Sequence, residues 1–475
     1  MGEVNVLVLE SSTSSAKAMV YSSERGVLAV RTKGYENVGA DVTRHDADSI
    51  FRQTAALGRE VSEGYAIQAV ALSGTWHSVM LAEEDGTPAS QVYLWSNTEA
   101  SDLCRRLRED EDYVYRYYHR TGCMVSAIYP FFKLKMLAQQ GYDLSKYRIL
   151  GQGTYNQFRL TGRFEATDCM LSGSGLLNTH TLKLDEECLK ELGIQASQIG
   201  RVITYEETSP LTRDGAELLG LPEGLPVVGA CSDGGLNQVG AGALGEGVMT
   251  FSVGTSGAIR LSTKAPVLPD HPGTWCYYSP VGYLSGAATS GCCNCVDWAK
   301  QRLFPADFSY KDVEAGYVEK EKAPVFLPFI YGERCPGWQD ERGGGFCDIG
   351  GMHDAYDLYH SVQEGTLFNL YHCYRILTKE NGRPVKIMLS GGILNSPAWS
   401  QMCADIFGEK MEVADLDQSS LLGGAVLGLH ALGAIEDVRD FTCPTVRTIE
   451  PDPSKREMYD QRFERYLHWY RLSSR

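Results

Sequence analysis

Val4-Asn-Val-Leu-Val-Leu9, Glu10-Ser-Ser-Thr13-Ser-Ser-Ala-Lys17 and Ala18-Met-Val-Tyr21 follow one another as an apolar run, a polar tip and a second apolar run. Short β-branched and Leu-rich runs bounded by small polar residues read as buried strands, so this is a strand–turn–strand unit. The same unit returns as Val248-Met-Thr-Phe-Ser-Val253, Gly254-Thr255-Ser256-Gly257 and Ala258-Ile-Arg-Leu261. The tip threonines stand at 13 and 255 of 475 residues, half a chain apart. A unit repeated at that interval argues for two lobes built on related cores.

Other strands end in small residues. Ala66 to Leu72 runs into Ser73-Gly74, Pro226 to Cys231 into Ser232-Asp233-Gly234-Gly235, and Val385 to Leu389 into Ser390-Gly391-Gly392. Helix-like stretches follow, Trp399 to Phe407 among them, and this alternation predicts an α/β protein. Ligands in such folds gather where strand ends meet helix starts. The glycine-rich stretch Leu225 to Gly247 reads as a hinge, and Ser454 to Arg475 as an amphipathic closing helix. The expected layout is a lobe over 1–240, a second over 241–438 and a helical tail over 439–475.

Bulk composition narrows the function. At roughly 150 residues per domain the length allows about three domains or two large ones. A hydrophobic content of 43% builds real cores and excludes wholesale disorder. With 44 Lys+Arg against 60 Asp+Glu the net charge is −16, which repels phosphate backbones and anionic lipid. Nucleic acid and membrane surfaces are therefore poor partners, whereas one anionic ligand in a local polar pocket is not excluded; a homodimer stays open. Of the 14 cysteines only Cys292, Cys293 and Cys295 cluster, and no His follows at zinc-finger spacing. The N-terminal residues lack the basic and apolar regions of a signal peptide, and Leu421 to Ile435 is too short to span a bilayer. The expectation is a protein of the reducing cytoplasm with buried thiols.

Chemistry concentrates at the strand ends. A phosphate chain needs convergent backbone N–H groups and hydroxyls, which turns rich in Gly, Ser and Thr supply, and Lys17 adds a charge. Each tip alone is also an ordinary polar turn; one in each half favours phosphate binding. Asp233 follows an apolar strand and precedes two glycines, so its carboxylate reads either as a general base in a cleft or as a helix N-cap. Ser390-Gly391-Gly392 to Asn395-Ser396 joins a strand to a helix, and paired glycines admit a flat ligand or simply form a loop. Trp76-His77 offers an aromatic plate and a polar ring after a strand.

Together these segments resemble the FGGY family of carbohydrate kinases, from Val4 to about Ile435. The resemblance is carried by Cys231-Ser-Asp-Gly-Gly235, Phe251-Ser-Val-Gly-Thr-Ser-Gly-Ala-Ile-Arg260 and Leu327-Pro-Phe-Ile-Tyr-Gly-Glu-Arg334-Cys-Pro-Gly-Trp338. Glu364-Gly-Thr-Leu-Phe-Asn-Leu370, Ser390 to Ser396 and Gln418-Ser-Ser-Leu-Leu-Gly-Gly-Ala425 add to it, as does Tyr129-Pro-Phe-Phe-Lys133, with Met136 where Trp is usual. Within the family, gluconate kinases are most similar and xylulose kinases next. The resemblance implies two ribonuclease-H-like lobes of the actin and hexokinase type, with ATP, Mg²⁺ and a small sugar or polyol in the cleft between them. It implies Asp233 as catalytic base and Trp76, His77 and Asn97 beside the sugar. It further places Thr13, Lys17 and Thr255 at the phosphates, Gly392 and Ser396 at the adenosine end, and Glu10 at the metal.

Two departures qualify the expectation. The family's first phosphate loop reads Asp-x-Gly-Thr, whereas this chain has Glu10-Ser11-Ser12-Thr13. A longer carboxylate and a serine in place of glycine leave a catalytically weakened sugar or nucleotide sensor as the alternative. Two residues after Asn97 the family commonly has Arg, but Glu99 stands here. An acidic group facing the sugar would disfavour a carboxylate such as gluconate, so a neutral ketose or polyol stands beside it.

Overall fold

The computed structural model describes residues 2–36, 39, 41–414 and 418–473. In the first half, strands β1 (Asn5–Ser11), β2 (Ser15–Ser22), β3 (Gly26–Gly34), β4 (Ala69–Gly74), β5 (Thr208–Pro210) and β6 (Pro226–Ser232) form one sheet in the order β5-β6-β4-β1-β2-β3. β1, β2 and β3 are an antiparallel meander, whereas β4 runs parallel to β1 and β6 parallel to β4. In the second half, β7 (Val248–Val253), β8 (Gly257–Thr263), β9 (Trp275–Tyr278), β10 (Tyr283–Thr289), β11 (Lys386–Ser390), β12 (Met411–Ala414) and β13 (Thr445–Ile449) follow the order β9-β10-β8-β7-β11-β12-β13. Again three antiparallel strands, β7, β8 and β10, meet two parallel ones, β11 and β12, before an antiparallel edge. The repeat expected from the two tips is thus a repeat of topology. β9 is an addition to the second lobe alone.

The principal helices, in chain order, are α1 (Ala47–Ser62), α2 (Gln152–Thr161), α3 (Asp233–Gly240), α4 (Cys293–Leu303), α5 (Ala355–Asn381), α6 (Pro397–Phe407), α7 (Ser419–Ala431) and α8 (Arg456–Leu472). All seven residues of β1 are buried, which requires cover on both faces. Side chains alternate along a strand, so its two faces join different cores. Leu7 and Leu9 share a core with Phe51 and Ala55 of α1. Val6 and Val8 share the other with Leu421 and Ala425 of α7, which comes from the far end of the chain. Gly424 and Gly428 let α7 lie flat there, since an added Cβ would come within 2.6 Å of Val8 and 2.4 Å of Val6.

The stretch read as a hinge is ordered structure: it contains β6 and α3. Its glycines serve close packing. A Cβ on Gly240 would lie 1.9 Å from the Ser419 carbonyl oxygen, and one on Gly423 would lie 2.1 Å from that of Leu236. α3 and α7 therefore cross backbone to backbone. The tail also differs from the expectation, because β13 precedes its helix and extends the second sheet. α8 buries Tyr459, Phe463 and Tyr466, with Phe463 and Tyr466 against Phe368 of α5; residues 474 and 475 of the expected tail lie outside the described residues. Eleven of the cysteines are buried and three half-buried. No described helix is long and apolar enough to cross a membrane.

Candidate active site

Strand register brings the candidate residues together. In the first sheet Glu10 is level with Ser73, Ser73 with Cys231, and Ser232 with Gly74. The β1–β2 tip, Trp76-His77 and Asp233 thus leave the same edge of the sheet. In the second sheet Ser252 is level with Ser390, which sets the β7–β8 tip beside Gly391-Gly392. The second lobe reaches this end of the first sheet through β9: the Tyr277 ring lies 4.9 Å from that of Trp76 and 5.5 Å from that of His77.

Asp233 is not the helix cap. Ser232 takes that place, its Oγ accepting from the Gly235 N–H at 3.0 Å, so Asp233 begins the first turn of α3. Its carboxylate accepts from the Gly234 N–H at 2.8 Å and the Trp76 N–H at 3.4 Å. Burial, followed by the charge of Glu10, raises its pKa, while those two N–H groups and Arg260 pull the other way. A carboxylate poised above its ordinary value is a stronger proton acceptor at neutral pH.

At the first tip, buried Glu10 receives Lys17 at 2.7 Å and the Ser73 hydroxyl at 3.0 Å. Lys17, expected at phosphate, pairs here with Glu10, its neighbour across the β1–β2 ladder. Ser12 closes the turn by donating N–H and hydroxyl to the Ser15 carbonyl at 3.0 and 2.8 Å. It lies outside the positive-φ residues, so this turn does not need a glycine there. Thr13 Oγ1 accepts from the Trp95 indole N–H at 3.0 Å, tying the tip to the loop after β4. At the second tip Thr255 is exposed. Backbone N–H groups of α4 hold that tip, Cys293 donating to Gly254 at 2.9 Å and Asn294 to Thr255 at 3.4 Å.

Gly391 has φ +96°, and a Cβ there would sit 2.5 Å from the Val253 carbonyl, so glycine is required where the two strand ends meet. Gly392 beside it is exposed. Ser396 caps α6 by accepting from the Trp399 N–H at 3.0 Å, which fixes its place at this end of the cleft.

The opposite side is aromatic. His77 has left-handed backbone, φ +65°, and its Nδ1–H donates to the Gly173 carbonyl at 2.5 Å. Burial, with the charges of Arg334 and Lys133 adding, lowers its pKa to about 3 although the Gly173 carbonyl opposes this, so the ring is neutral. Tyr129 and Tyr277 join their hydroxyls at 2.7 Å beside it. Asn97, expected to touch sugar, holds its own loop together in this structure. It is 2% exposed, and its amide donates to Thr43 at 3.1 Å and Glu99 at 2.8 Å. Glu99 in turn is charge-paired with Arg44, which removes most of the repulsion expected of it toward an anionic acceptor.

Three residues with no expected role complete the site. Tyr277 arrives from β9, Arg260 from β8, and Arg334 stands with its guanidinium carbon 5.6 Å from the Trp95 ring centre. The signal for Arg260 was an arginine inside an otherwise apolar strand, just past a phosphate-type tip. Magnesium bound with nucleotide takes one or two protein carboxylates beside phosphate and water. Glu10 and Asp233, close enough for their charges to interact, fit that donor set.

Two ribonuclease-H-like cores facing across such a cleft define a phosphotransferase fold of the actin and hexokinase type. The chain belongs to the FGGY family of carbohydrate kinases: residues 5–240 match the family's N-terminal domain and 249–432 its C-terminal domain. It is 24% identical to a gluconokinase of Bacillus licheniformis, over 95% of this chain and 93% of that one. It is also 24% identical to a probable L-xylulose kinase of Pasteurella multocida, over 90% of each. Among solved structures, a gluconate kinase from Lactobacillus acidophilus matches 100% of this chain and 99% of its own, with TM-score 0.94 and 26% identity. A xylulose kinase from the same organism matches 98% of each chain, with TM-score 0.93 and 26% identity.

Proposed function

We propose that the protein transfers the γ-phosphoryl group of ATP to a primary hydroxyl of a small open-chain sugar or sugar acid. The placement of Asp233 carries this reading: a half-buried carboxylate with raised pKa stands at a strand end, bonded to the Trp76 N–H and within electrostatic reach of Glu10 at the first tip and of Arg260, just past the second. Asp233 orients the acceptor hydroxyl and takes its proton as the oxygen attacks γ-phosphorus, while the bond to the β–γ bridging oxygen breaks and ADP leaves. Backbone N–H groups of the two tips, with Thr13 and Thr255, hold the phosphate oxygens. Glu10 and Asp233 would hold Mg²⁺, which neutralises charge on the β- and γ-phosphates when bound. The residues over 1–240 mainly serve the acceptor and first tip, those over 241–438 the nucleotide, with Gly392 and Ser396 at its adenosine end. ATP supply places this work in the cytoplasm.

A coupled ADP-release assay over ketoses, polyols and aldonates tests the reading. At least one acceptor is expected to raise turnover on the order of a hundredfold above acceptor-free hydrolysis, because closure over an acceptor aligns the reaction and excludes water. If none does, the kinase reading is wrong.

Glu10 and Ser12 support a second reading, a sugar or nucleotide sensor with weakened catalysis. Restoring Glu10→Asp with Ser12→Gly would then raise kcat tenfold or more. We expect kcat to stay within about threefold, less than 1 kcal/mol in barrier, because Glu10 is already anchored by Lys17 and Ser73 and Ser12 forms the turn without positive φ.

A further inference from the structure

α8 lies beyond the residues that match the family's C-terminal domain, and the chemistry above gives it no part. Its middle is fixed to the body of the second lobe: Arg462 donates to Glu364 of α5 at 2.8 Å, and Phe463 and Tyr466 pack on Phe368. Its last turn meets a different partner, the loop over residues 333–342. The Tyr470 hydroxyl donates to Glu333 at 2.6 Å. Glu333 is buried and also receives Arg342 at 2.8 Å and the Gly337 N–H at 3.0 Å. Arg342, buried in turn, donates to the Tyr470 carbonyl and, at 2.6 Å, to the Ser473 hydroxyl. Its guanidinium carbon stands 4.5 Å from the Phe329 ring centre and 4.1 Å from that of Tyr470.

The same loop reaches the first lobe. Arg334 covers Trp95, whose indole N–H holds Thr13 at the first tip. Asp340 accepts from the Ser101 hydroxyl at 3.3 Å and lies within electrostatic reach of Arg108 and Arg334. The loop is closed on itself, the Glu333 N–H donating to the Gln339 carbonyl at 2.9 Å, so its two ends shift together. Beside its contact with the first lobe runs a groove of about 640 Å³, lined by Arg105, Arg108 and Glu109 from that lobe and Glu341, Gly343 and Ser473 from the second. The loop is therefore braced more fully from α8 than from the first lobe. A buried ion pair adds little net stability, but removing one of its hydrogen bonds leaves a buried charge undersatisfied.

We infer that the last turn of α8 is a strap that sets the acceptor side of the cleft, with Tyr470 a positioning residue acting through Glu333 on Arg334 and Asp340. The effect on acceptor binding rests on the phosphoryl-transfer reading, whereas the strap itself does not. The path is short: Glu333 adjoins Arg334, and Arg342 follows Asp340 by two residues. Without its hydroxyl, residue 470 keeps its ring over Arg342 and α8 stays packed, but Glu333 loses a donor.

The test compares Tyr470→Phe and Ser473→Ala with Tyr466→Phe, whose hydroxyl lies buried one turn earlier on the same helix. Two quantities are read: amide hydrogen exchange over residues 333–342, and KM for ATP and for whichever acceptor the ADP-release panel selects. Tyr470→Phe should speed exchange of the loop and raise acceptor KM, each by about three- to tenfold, the range of a partly transmitted hydrogen bond to a charged group. kcat and KM for ATP should stay nearly unchanged. Ser473→Ala should act in the same direction and less strongly, and Tyr466→Phe should do neither. Unchanged loop exchange in Tyr470→Phe overturns the strap, as does faster exchange spread over the whole chain, which would make the hydroxyl a general stabiliser. Faster loop exchange with acceptor KM unchanged, or with the KM for ATP raised equally, overturns the positioning role. Faster loop exchange in a protein that turns over no acceptor would overturn phosphoryl transfer and retain the strap.

Discussion

Replacing Asp233 with Asn is expected to lower kcat by about 10²–10⁴-fold, the contribution of a well-placed general base, while leaving the fold intact. Asn is nearly isosteric and can still accept from the Gly234 and Trp76 N–H groups, so acceptor KM should change little. The same variant should be more stable than the parent at alkaline pH. Asp233 has a raised pKa, so the folded state holds its proton more tightly than the unfolded chain does. Its effect is favourable at pH below the ordinary carboxylate value and is lost as pH rises through the raised value, above which the ionised group is a net cost. Asn removes that cost. Thermal unfolding at pH 8 should therefore favour the variant, and the difference should shrink toward pH 4. An active variant, with acceptor-dependent ADP release near the parent rate, would remove Asp233 from the catalytic role.

Gly240→Ala should destabilise the protein by about 3 kcal/mol, at the upper end of ordinary overpacking penalties. The added Cβ would stand 1.9 Å from the Ser419 carbonyl oxygen, and backbone cannot yield as a side-chain tip does. α3 and α7 would have to separate, and α3 begins with Asp233. Gly351→Ala provides the control: its Cβ meets nothing within 4 Å, and a change within about 0.5 kcal/mol is expected. Urea unfolding midpoints measure both. Equal midpoints would show that the crossing is looser than its geometry implies.

What could be read from sequence was local. Each phosphate-type tip, the Asp233 turn and the Gly391-Gly392 loop are short strings of small residues after an apolar run, so their chemistry and placement travel together. Glycine was ambiguous in the stretch Leu225 to Gly247: the same residue type permits flexible backbone and close helix contact, and only the partner helix decides. Asn97 and Lys17 have partners of their own in the fold, a related point. Their polar groups are satisfied by Thr43, Glu99 and Glu10, partners that spacing does not reveal. Tyr277 and Arg334 enter the site from the other lobe. β13 is exposed along most of its length and shows no alternation of buried and open residues, which hid it in the tail.

The arrival of α7 on the first sheet has a consequence for how the protein is made. Val6 and Val8 leave the ribosome long before their cover, which is synthesised some four hundred residues later. Until then one face of β1 presents bare aliphatic side chains, so the amino-terminal lobe cannot finish folding ahead of its partner as an independent domain would. A gene split between the halves would yield an amino-terminal fragment prone to association, rescued by a carboxy-terminal fragment that brings α7. The two lobes resemble each other in topology, but they are not separable in biogenesis.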